Sequence, residues 1–314
     1  MKIFKNISTY KSTNKSFVTI GTFDGVHLGH QKVIQDLVES AKKNNATSVL
    51  LTFFPHPRMV LQKNATIKLI NTIEERIKLL DNIGLDAIII HKFSDEFANL
   101  TAFEFVKNIL VDKLKISRLV IGYDHHFGKD RTGNFTSLQK FGTEFNFTLK
   151  EISQQDISNS TVSSTKIRAA IEKGEIEKAN SYLGYNFMLT GSVVKGKNLG
   201  EKIGFPTANI HIKETYKLIP KTGAYIVKST IENSVVFGMM NIGYRPTVSG
   251  KNQTIEINFF ELHKDLYNQI LTIEVLHFLR DEIKFNSIEK LTIQLKKDKQ
   301  KSLEIIRGTF FETN

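Results

Sequence analysis

The 314-residue sequence predicts two domains of different fold class: an α/β domain, then a small all-β domain that ends in a helix. In the first half, apolar runs typical of buried strands alternate with helical stripes, which indicates a doubly wound parallel sheet. After Gly184 the pattern changes to short strand-like runs separated by Gly, Pro, Asn and Lys, which favours a small β-barrel or a sandwich. We therefore place the domains at 1–184 and 185–314.

Strands and helices of the first domain are predicted in alternation. Strands are expected at 18–20, 49–54, 87–90, 119–121 and 147–152, and helices at 31–43, 72–83, 101–113 and, interrupted at Gly174, 164–183. Ligands of such sheets bind beyond the carboxyl ends of the strands. His27, His30 and the segments 55–57 and 122–133 follow strands directly, so we expect them at one edge of the sheet.

The second domain has shorter elements. Strands are expected at 189–194, 225–229, 235–242, 254–262 and 271–279, and a closing helix at about 287–306.

Composition restricts the class of protein. The sequence contains no cysteine, which excludes disulfides and thiolate metal sites. It has neither a membrane-length apolar run nor the apolar core of a signal peptide, so we expect a cytoplasmic protein. The formal charge of +11 suits anionic ligands, although lysine-rich solvated faces would give the same value. The basic residues are not clustered and no reader motif is present, so we expect no nucleic-acid partner.

The stretch "IGTFDGVHLGHQKVI" places two histidines where the first predicted strand passes into a helix. A loop followed by a helix N-terminus points N–H groups at whatever lies there and favours phosphate. Gly21, Gly25 and Gly29 let the backbone approach a ligand closely. His27 and His30 could donate hydrogen bonds to a triphosphate and stabilise charge at phosphorus during transfer, or they could simply cap the helix.

A second element, "SSTKIR" at 163–168, starts the helix predicted at 164–183. Its serines and threonine could be ordinary N-caps. Together with Arg168 they could instead donate hydrogen bonds to a phosphate.

Four motifs in order resemble the nucleotidylyltransferase module of bacterial bifunctional riboflavin kinase/FAD synthetases. They are "GTFDGVHLGH", "TFFPHP" at 52–57, "IGYDHHFGKDRTG" at 121–133 and "VSSTKIR" at 162–168. The resemblance implies a Rossmann-like domain that transfers AMP from ATP to FMN. It assigns ATP binding to Gly21, Phe23, Asp24, Gly25, His27, His30, Ser164, Thr165 and Arg168, and the FMN end of the site to Pro55, His56, Pro57 and Asp124.

The second domain carries a glycine-rich stretch, "GSVVKGKNLGEKIGFPTANI" at 191–210. Gly196, Gly200 and Gly204 could form a loop around phosphates, or they could be turn residues. Thr207 and Asn209 add oxygen ligands of the kind that magnesium accepts beside phosphate oxygens and water.

Glu256 lies in the alternating strand "TIEINFFE". Ile255 and Ile257 fall on one face, and Glu256 falls on the other with Asn258. Because a glutamate in so apolar a strand must face solvent or a polar pocket, Glu256 is either part of a solvated barrel exterior or a general base for a substrate hydroxyl.

The second half resembles the riboflavin kinase fold, a small closed β-barrel with a C-terminal helix. The matching pieces include "GFPTANI", "NIGYRPTV", "IEINFFE", "DLY" and "FLRDEIKF". The resemblance assigns ATP binding to the loop glycines, Pro206, Thr207 and Asn209, magnesium to Thr207 and Asn209, the base to Glu256, and flavin contacts to Arg280, Glu282 and Phe285. Arg280 and Glu282 could also form an ion pair at a helix start. The chain departs from the family pattern at Tyr123, His125, Glu201, Asn258 and Asn268.

The two halves together predict an enzyme that phosphorylates riboflavin to FMN and adenylylates FMN to FAD, with ATP as co-substrate and Mg²⁺ as cofactor. An enzyme with one decayed domain and a nucleic-acid-binding module are the alternatives. The sequence leaves the oligomeric state open.

Overall fold

The computed structural model describes residues 1–12, 14–62, 67–122, 127–152, 162–196, 199–247 and 250–310. The chain forms two compact units, Met1–Ser164 and Thr165–Asn314. In the described residues no helix is long and apolar enough to cross a membrane.

The first unit is built on a parallel six-stranded sheet. Its strands are β1 (Lys2–Phe4), β2 (Ser16–Ile20), β3 (Thr47–Phe53), β4 (Ala87–His91), β5 (Ile116–Gly122) and β6 (Thr148–Ile152). Their order is β1-β4-β3-β2-β5-β6, and every pairing is parallel. After β2 the chain continues to the neighbouring strand β3, and after β5 it continues to β6 in the opposite direction along the sheet. The predicted crevice of such a fold lies at the carboxyl ends of the neighbouring strands β2 and β5.

Helices connect the strands of this sheet. They are α1 (Leu28–Lys43), α2 (Pro57–Leu61), α3 (Ile73–Asn82), α4 (Asp95–Ala98), α5 (Ala102–Glu104), a π-helical segment (Phe105–Lys113) and α6 (Phe135–Glu144), with short 3₁₀ turns at Ile7–Thr9 and Lys129–Arg131. Alternate strand residues enter two different cores: Val18 and Leu51 pack in one, and Phe17 and Leu50 pack in the other. The sheet is therefore covered on both faces, as its nearly continuous apolar strands predict.

The second unit is a closed six-stranded barrel with helices before and after it. The strands are β7 (Met188–Val194), β8 (Ala208–His211), β9 (Gly223–Ile231), β10 (Ser234–Thr247), β11 (Gly250–Phe259) and β12 (Ile270–Arg280), in the order β10-β11-β8-β7-β12-β9. Helices α7 (Ser164–Lys173) and α8 (Ile176–Leu183) precede it, α9 (Leu199–Lys202) lies between β7 and β8, and α10 (Ile288–Phe310) ends it. The predicted fold class is confirmed, and the choice between barrel and sandwich is decided in favour of the barrel.

The helices before the barrel bear on the domain boundary. The Asn180 side chain donates to the carbonyl of Val275 in β12 at 2.9 Å and accepts from the Phe187 amide at 2.7 Å. These contacts group α8 with the barrel, and the compact units divide after Ser164. The boundary at 184 stays a prediction.

Candidate functional site

The two histidines of the first motif are brought into contact at the start of α1. His27 is the N-cap residue, and its Nδ1 accepts from the His30 amide at 3.4 Å. The imidazole rings are stacked, with centroids 3.6 Å apart and an interplanar angle of 18°. The pair therefore lies at the positive end of a 16-residue helix, directly after the central strand β2. Because Nδ1 of His27 accepts this hydrogen bond, the ring proton of a neutral His27 imidazole is on Nε2.

The environment of His30 keeps it uncharged. Burial lowers its pKa well below the usual value, and His27 and Arg76 lower it further through charge repulsion. Its Nδ1 is buried and has no hydrogen-bond partner within the described part of the chain. A neutral imidazole carries one N–H donor and one acceptor nitrogen.

Asp24 organises the loop that carries the histidines. Its buried carboxylate accepts from the Ile70 amide at 3.0 and 3.1 Å and from the Asn71 amide at 3.3 Å. Arg76 Nη2 lies 3.8 Å from Asp24 Oδ1, and both side chains are 1% exposed. The hydroxyl of Ser164 donates to the Asp24 carbonyl at 2.8 Å. The loop is thus held by a buried ion pair that sequence reasoning missed, because Arg76 lies in an ordinary helical stripe. The role of Asp24 as an ATP contact stays a prediction.

The remaining loop residues pack closely around the histidines. The Phe23 ring lies 4.8 Å from the His30 ring. A Cβ on Gly21 would stand 2.9 Å from the Phe23 ring, and Gly25 has φ of 90°. Both glycines are therefore required by the loop conformation itself.

Thr165 and Arg168 start the second unit on the first turns of α7. Thr165 is exposed and Arg168 is half-buried. Their closing over ATP stays a prediction.

The proline-flanked histidine follows β3, as predicted. His56 is buried, is the N-cap of α2 and accepts from the Arg58 amide at 3.2 Å through Nδ1. Pro55 and Pro57 are half-buried beside it. Asp124 lies outside the described residues, and so do the family departures Tyr123 and His125. The FMN contacts of this region stay predictions.

In the barrel, strand register places five residues in one transverse row. Asn209 of β8 is opposite Glu256 of β11, which is opposite Asn241 of β10; Asn241 is opposite Ala224 of β9, and Ala224 is opposite Arg280 of β12. Directly opposed residues of antiparallel strands share a face of the sheet. All five line one cavity of about 260 Å³. Glu256 therefore faces a partly polar pocket and not a solvated exterior.

Segments outside the row complete this cavity. Gly200, Phe205 and Thr207 contribute from the glycine-rich stretch, Glu282 and Phe285 from the segment after β12, and Leu291, Leu295 and Asp298 from α10. The structure thus brings together seven of the predicted residues: Gly200, Thr207, Asn209, Glu256, Arg280, Glu282 and Phe285. Gly196, Gly204 and Pro206 belong to the stretch that borders the cavity. Sequence reasoning missed Asn241. Its side chain lies on the same face of the barrel wall as the other side chains of the row, which the alternation of side chains along β10 could have indicated.

The glycines of this stretch are required by close approach. A Cβ on Gly196 would lie 2.2 Å from Asn209 Nδ2, and one on Gly200 would lie 2.2 Å from the Phe205 carbonyl. Gly204 has φ of 77°. The stretch therefore folds against Asn209, one of the predicted metal ligands.

The side chains present suit a hard cation. Thr207 and Asn209 are half-buried and offer a hydroxyl and an amide oxygen beside the Glu256 carboxylate. Among the described residues, no group of three or more His, Asp or Glu side chains is arranged to hold a metal ion. Magnesium needs few protein oxygens when phosphate oxygens and water complete its coordination shell. These residues therefore fit that ion.

Comparisons with known proteins identify the family of each half of the chain. The family model for FAD synthetase matches residues 9–166, and the model for riboflavin kinase matches residues 183–306. Curated bifunctional riboflavin kinase/FMN adenylyltransferases are similar over nearly the whole chain. The protein from Buchnera aphidicola subsp. Schizaphis graminum is 38% identical, covering 99% of each chain, and that from Bacillus subtilis is 35% identical, covering 92% of each.

Among solved structures, one described as a macrolide-efflux protein from Streptococcus pneumoniae superposes with a TM-score of 0.87 at 29% identity. The match covers 96% of this chain and 98% of that one. The fold is therefore shared along both units. Since both family models match and the curated relatives cover nearly the whole chain, it belongs to the family of bifunctional riboflavin kinase/FMN adenylyltransferases.

Proposed function

We propose that the two reactions of this family occur at the two sites described above. The chain is an enzyme of flavin cofactor biosynthesis: it phosphorylates riboflavin to FMN with ATP, then transfers AMP from a second ATP to FMN, giving FAD and pyrophosphate. The observation that carries the assignment of the kinase step is the row from Asn209 to Arg280, which places a carboxylate inside a cavity large enough for part of a substrate.

In the kinase step, Glu256 acts as the general base. Its carboxylate accepts the proton of the terminal ribityl hydroxyl while that oxygen bonds to the γ-phosphorus of ATP and the bond from phosphorus to ADP breaks. Thr207 and Asn209 would hold Mg²⁺, which supplies neutralisation of phosphate charge. Arg280, Glu282 and Phe285 form the flavin side of the cavity. Gly196, Gly200, Gly204 and Pro206 belong to the ATP-binding loop, in which available backbone N–H groups donate to the phosphates.

In the adenylylation step, His27 and His30 donate hydrogen bonds to the phosphates of ATP at the start of α1. An FMN phosphate oxygen bonds to the α-phosphorus, and the bond to pyrophosphate breaks. Because the neutral state of His30 is favoured, the pair acts through N–H donors and not as two cations. Ser164, Thr165 and Arg168 close on the ATP side, and Pro55, His56, Pro57 and Asp124 contact FMN.

Both steps operate through positioning and charge stabilisation, without a covalent enzyme intermediate. We also propose that the enzyme acts in the cytoplasm.

One assay tests the proposal. The full chain is incubated with riboflavin, ATP and magnesium, and the flavins are separated by chromatography. Formation of FAD is expected. FMN alone would mean that the adenylyltransferase has decayed, and FAD formed only from added FMN would mean that the kinase has decayed. No product from either flavin would contradict the proposal.

A further inference from the structure

An aspartate of the C-terminal helix makes several polar contacts at the barrel cavity. Asp298 lies well inside α10 and its side chain is 7% exposed. Arg280 Nε donates to both of its carboxylate oxygens, at 3.1 and 3.0 Å, and Arg280 Nη2 donates to Oδ2 at 2.7 Å. Gln294 donates to Oδ1 at 2.8 Å, and the Ser302 hydroxyl donates to the Asp298 carbonyl at 2.7 Å. The carboxylate is therefore fixed on its helix and holds the guanidinium by a two-nitrogen contact.

Arg280 occupies a special place in the chain. It ends β12, closes the row that contains Glu256, and precedes the irregular segment 281–287 that leads to α10. Its Nη1 donates to the Asp281 carbonyl at 2.9 Å, so the same guanidinium also fixes the first peptide of that segment. Through Arg280, the buried Asp298 carboxylate thus links β12, the segment 281–287 and α10.

The segment held in this way forms a wall of the cavity. Glu282, Ile283 and Phe285 line it. The Glu282 carboxylate lies over Gly243 of β10, where an added Cβ would be 2.6 Å from Oε1 and 3.2 Å from Asn241 Nδ2. Residues 281–287 belong to no strand or helix. The position of this segment therefore depends on side-chain contacts. One of them is the Arg280–Asp298 ion pair, which joins the cavity wall to α10.

We propose that Asp298 is a positioning residue of the kinase site: through Arg280 it holds the segment 281–287 against the barrel and so pre-shapes the flavin side of the cavity. The inference rests on the proposed function, since it gives the cavity riboflavin as its ligand. A carboxylate that only stabilised the fold would affect the amount of folded enzyme. A carboxylate that shapes the cavity affects the affinity for flavin in molecules that are folded.

The test compares Asp298→Asn with the parent in the full chain. The amide keeps the size of the side chain but removes the charge that orients the guanidinium. We expect the riboflavin KM of the kinase to rise by about 10- to 100-fold, the range for losing a hydrogen bond between charged groups. We expect kcat, the ATP KM of the kinase and the FMN adenylylation rate to stay within about threefold of the parent, a change below 1 kcal/mol. Asp298→Glu, which keeps the charge, should recover most of the riboflavin affinity.

Glu304→Gln is the matched control. Glu304 lies on the same helix α10, is exposed, accepts from Gln300 at 3.0 Å and does not line the cavity, so its substitution should leave the riboflavin KM unchanged. An unchanged riboflavin KM in folded Asp298→Asn would overturn the inference, as would a loss of kcat alone that follows the folded fraction. Should Asp298→Asn fail to fold, Arg280→Lys, which breaks the two-nitrogen contact, carries the same test. Riboflavin binding, followed by quenching of flavin fluorescence, tests the inference even if the parent forms no FMN.

Discussion

The two candidate sites differ in how far along the chain their residues are collected. The adenylyltransferase histidines and their loop come from one short stretch, where a buried strand gives way to a helix N-terminus. The kinase cavity takes one row residue from each of five strands and adds side chains from α10. The histidine pair depends on local backbone geometry and on the few contacts that hold its loop, whereas a cavity lined across a barrel depends on the register of every strand. Variants should therefore separate the two sites cleanly.

The largest effect is expected at the centre of the barrel row. Glu256→Gln keeps the size and polarity of the side chain but removes the basic carboxylate. We expect the kinase kcat to fall by about 10²- to 10⁴-fold, which corresponds to about 3–5 kcal/mol of barrier. The riboflavin KM should change little and conversion of added FMN to FAD should persist. Steady-state rates of both reactions on the same folded variant are the measurement. A kinase rate within a few-fold of the parent would remove Glu256 from the mechanism.

Substitution of the adenylyltransferase histidines should affect adenylylation and leave the kinase reaction intact. Changing both His27 and His30 to alanine removes two donors at the helix N-terminus, and loss of one such donor typically lowers kcat by about 10²- to 10³-fold. We expect FMN adenylylation to fall by at least that factor while riboflavin phosphorylation is spared. His263→Ala, at an exposed position of the second unit, is the control that should alter neither rate. Unchanged FAD formation from FMN in the folded double variant would contradict the assignment.

Truncation tests whether the barrel unit begins before or at the predicted boundary. The sequence predicts that 184–314 folds alone and makes FMN. Because Asn180 makes two hydrogen bonds to the barrel, each worth about 0.5–1.5 kcal/mol, we expect 165–314 to be more stable than 184–314 by about 1–3 kcal/mol or more. Urea unfolding followed by circular dichroism compares the two fragments. Equal stability would place α8 outside the functional barrel unit, and a folded but inactive 184–314 fragment at saturating magnesium would show that the kinase needs the preceding residues.

The smallest effect is expected two residues along the strand from the base. Asn258 is a departure from the family pattern, and its Nδ2 donates to the Pro206 carbonyl at 2.8 Å, which holds the end of the glycine-rich stretch. Losing one neutral hydrogen bond costs about 0.5–1.5 kcal/mol, so Asn258→Ala should raise the ATP KM of the kinase about two- to tenfold. The adenylylation ATP KM serves as the internal control. A change confined to riboflavin would mean that Asn258 belongs to the flavin side instead.

Sequence patterns predicted most elements of both units. The parallel sheet, the barrel strands and the closing helix all appear near their expected positions, because burial on both faces or on one face leaves a distinct apolar period. The short edge strand β1, helix α6 and strand β8 were not predicted. β8 has four residues, too few for a period to emerge. The helix expected at 101–113 is an α-helical turn followed by a π-helical segment, a difference in hydrogen bonding that apolar spacing does not encode.

The family, the two activities and the histidine pair could be read from the sequence, because each depends on residues close together in the chain or on motifs in a fixed order. The family is confirmed by both family models and by the curated relatives. The sequence also indicated that Glu256 faces away from the apolar side of its strand, since side chains in a strand alternate.

Only the tertiary structure decided which residues meet. The sequence offered Glu282 as the partner of Arg280, and the structure pairs Arg280 with Asp298 of α10 instead. It also set Asn241 beside Glu256 and put Arg76 against Asp24. Side-chain alternation gives the face on which a residue lies, but register and barrel closure choose its neighbours. Those neighbours come from distant parts of the chain, and their contacts become favourable only once the whole fold has formed.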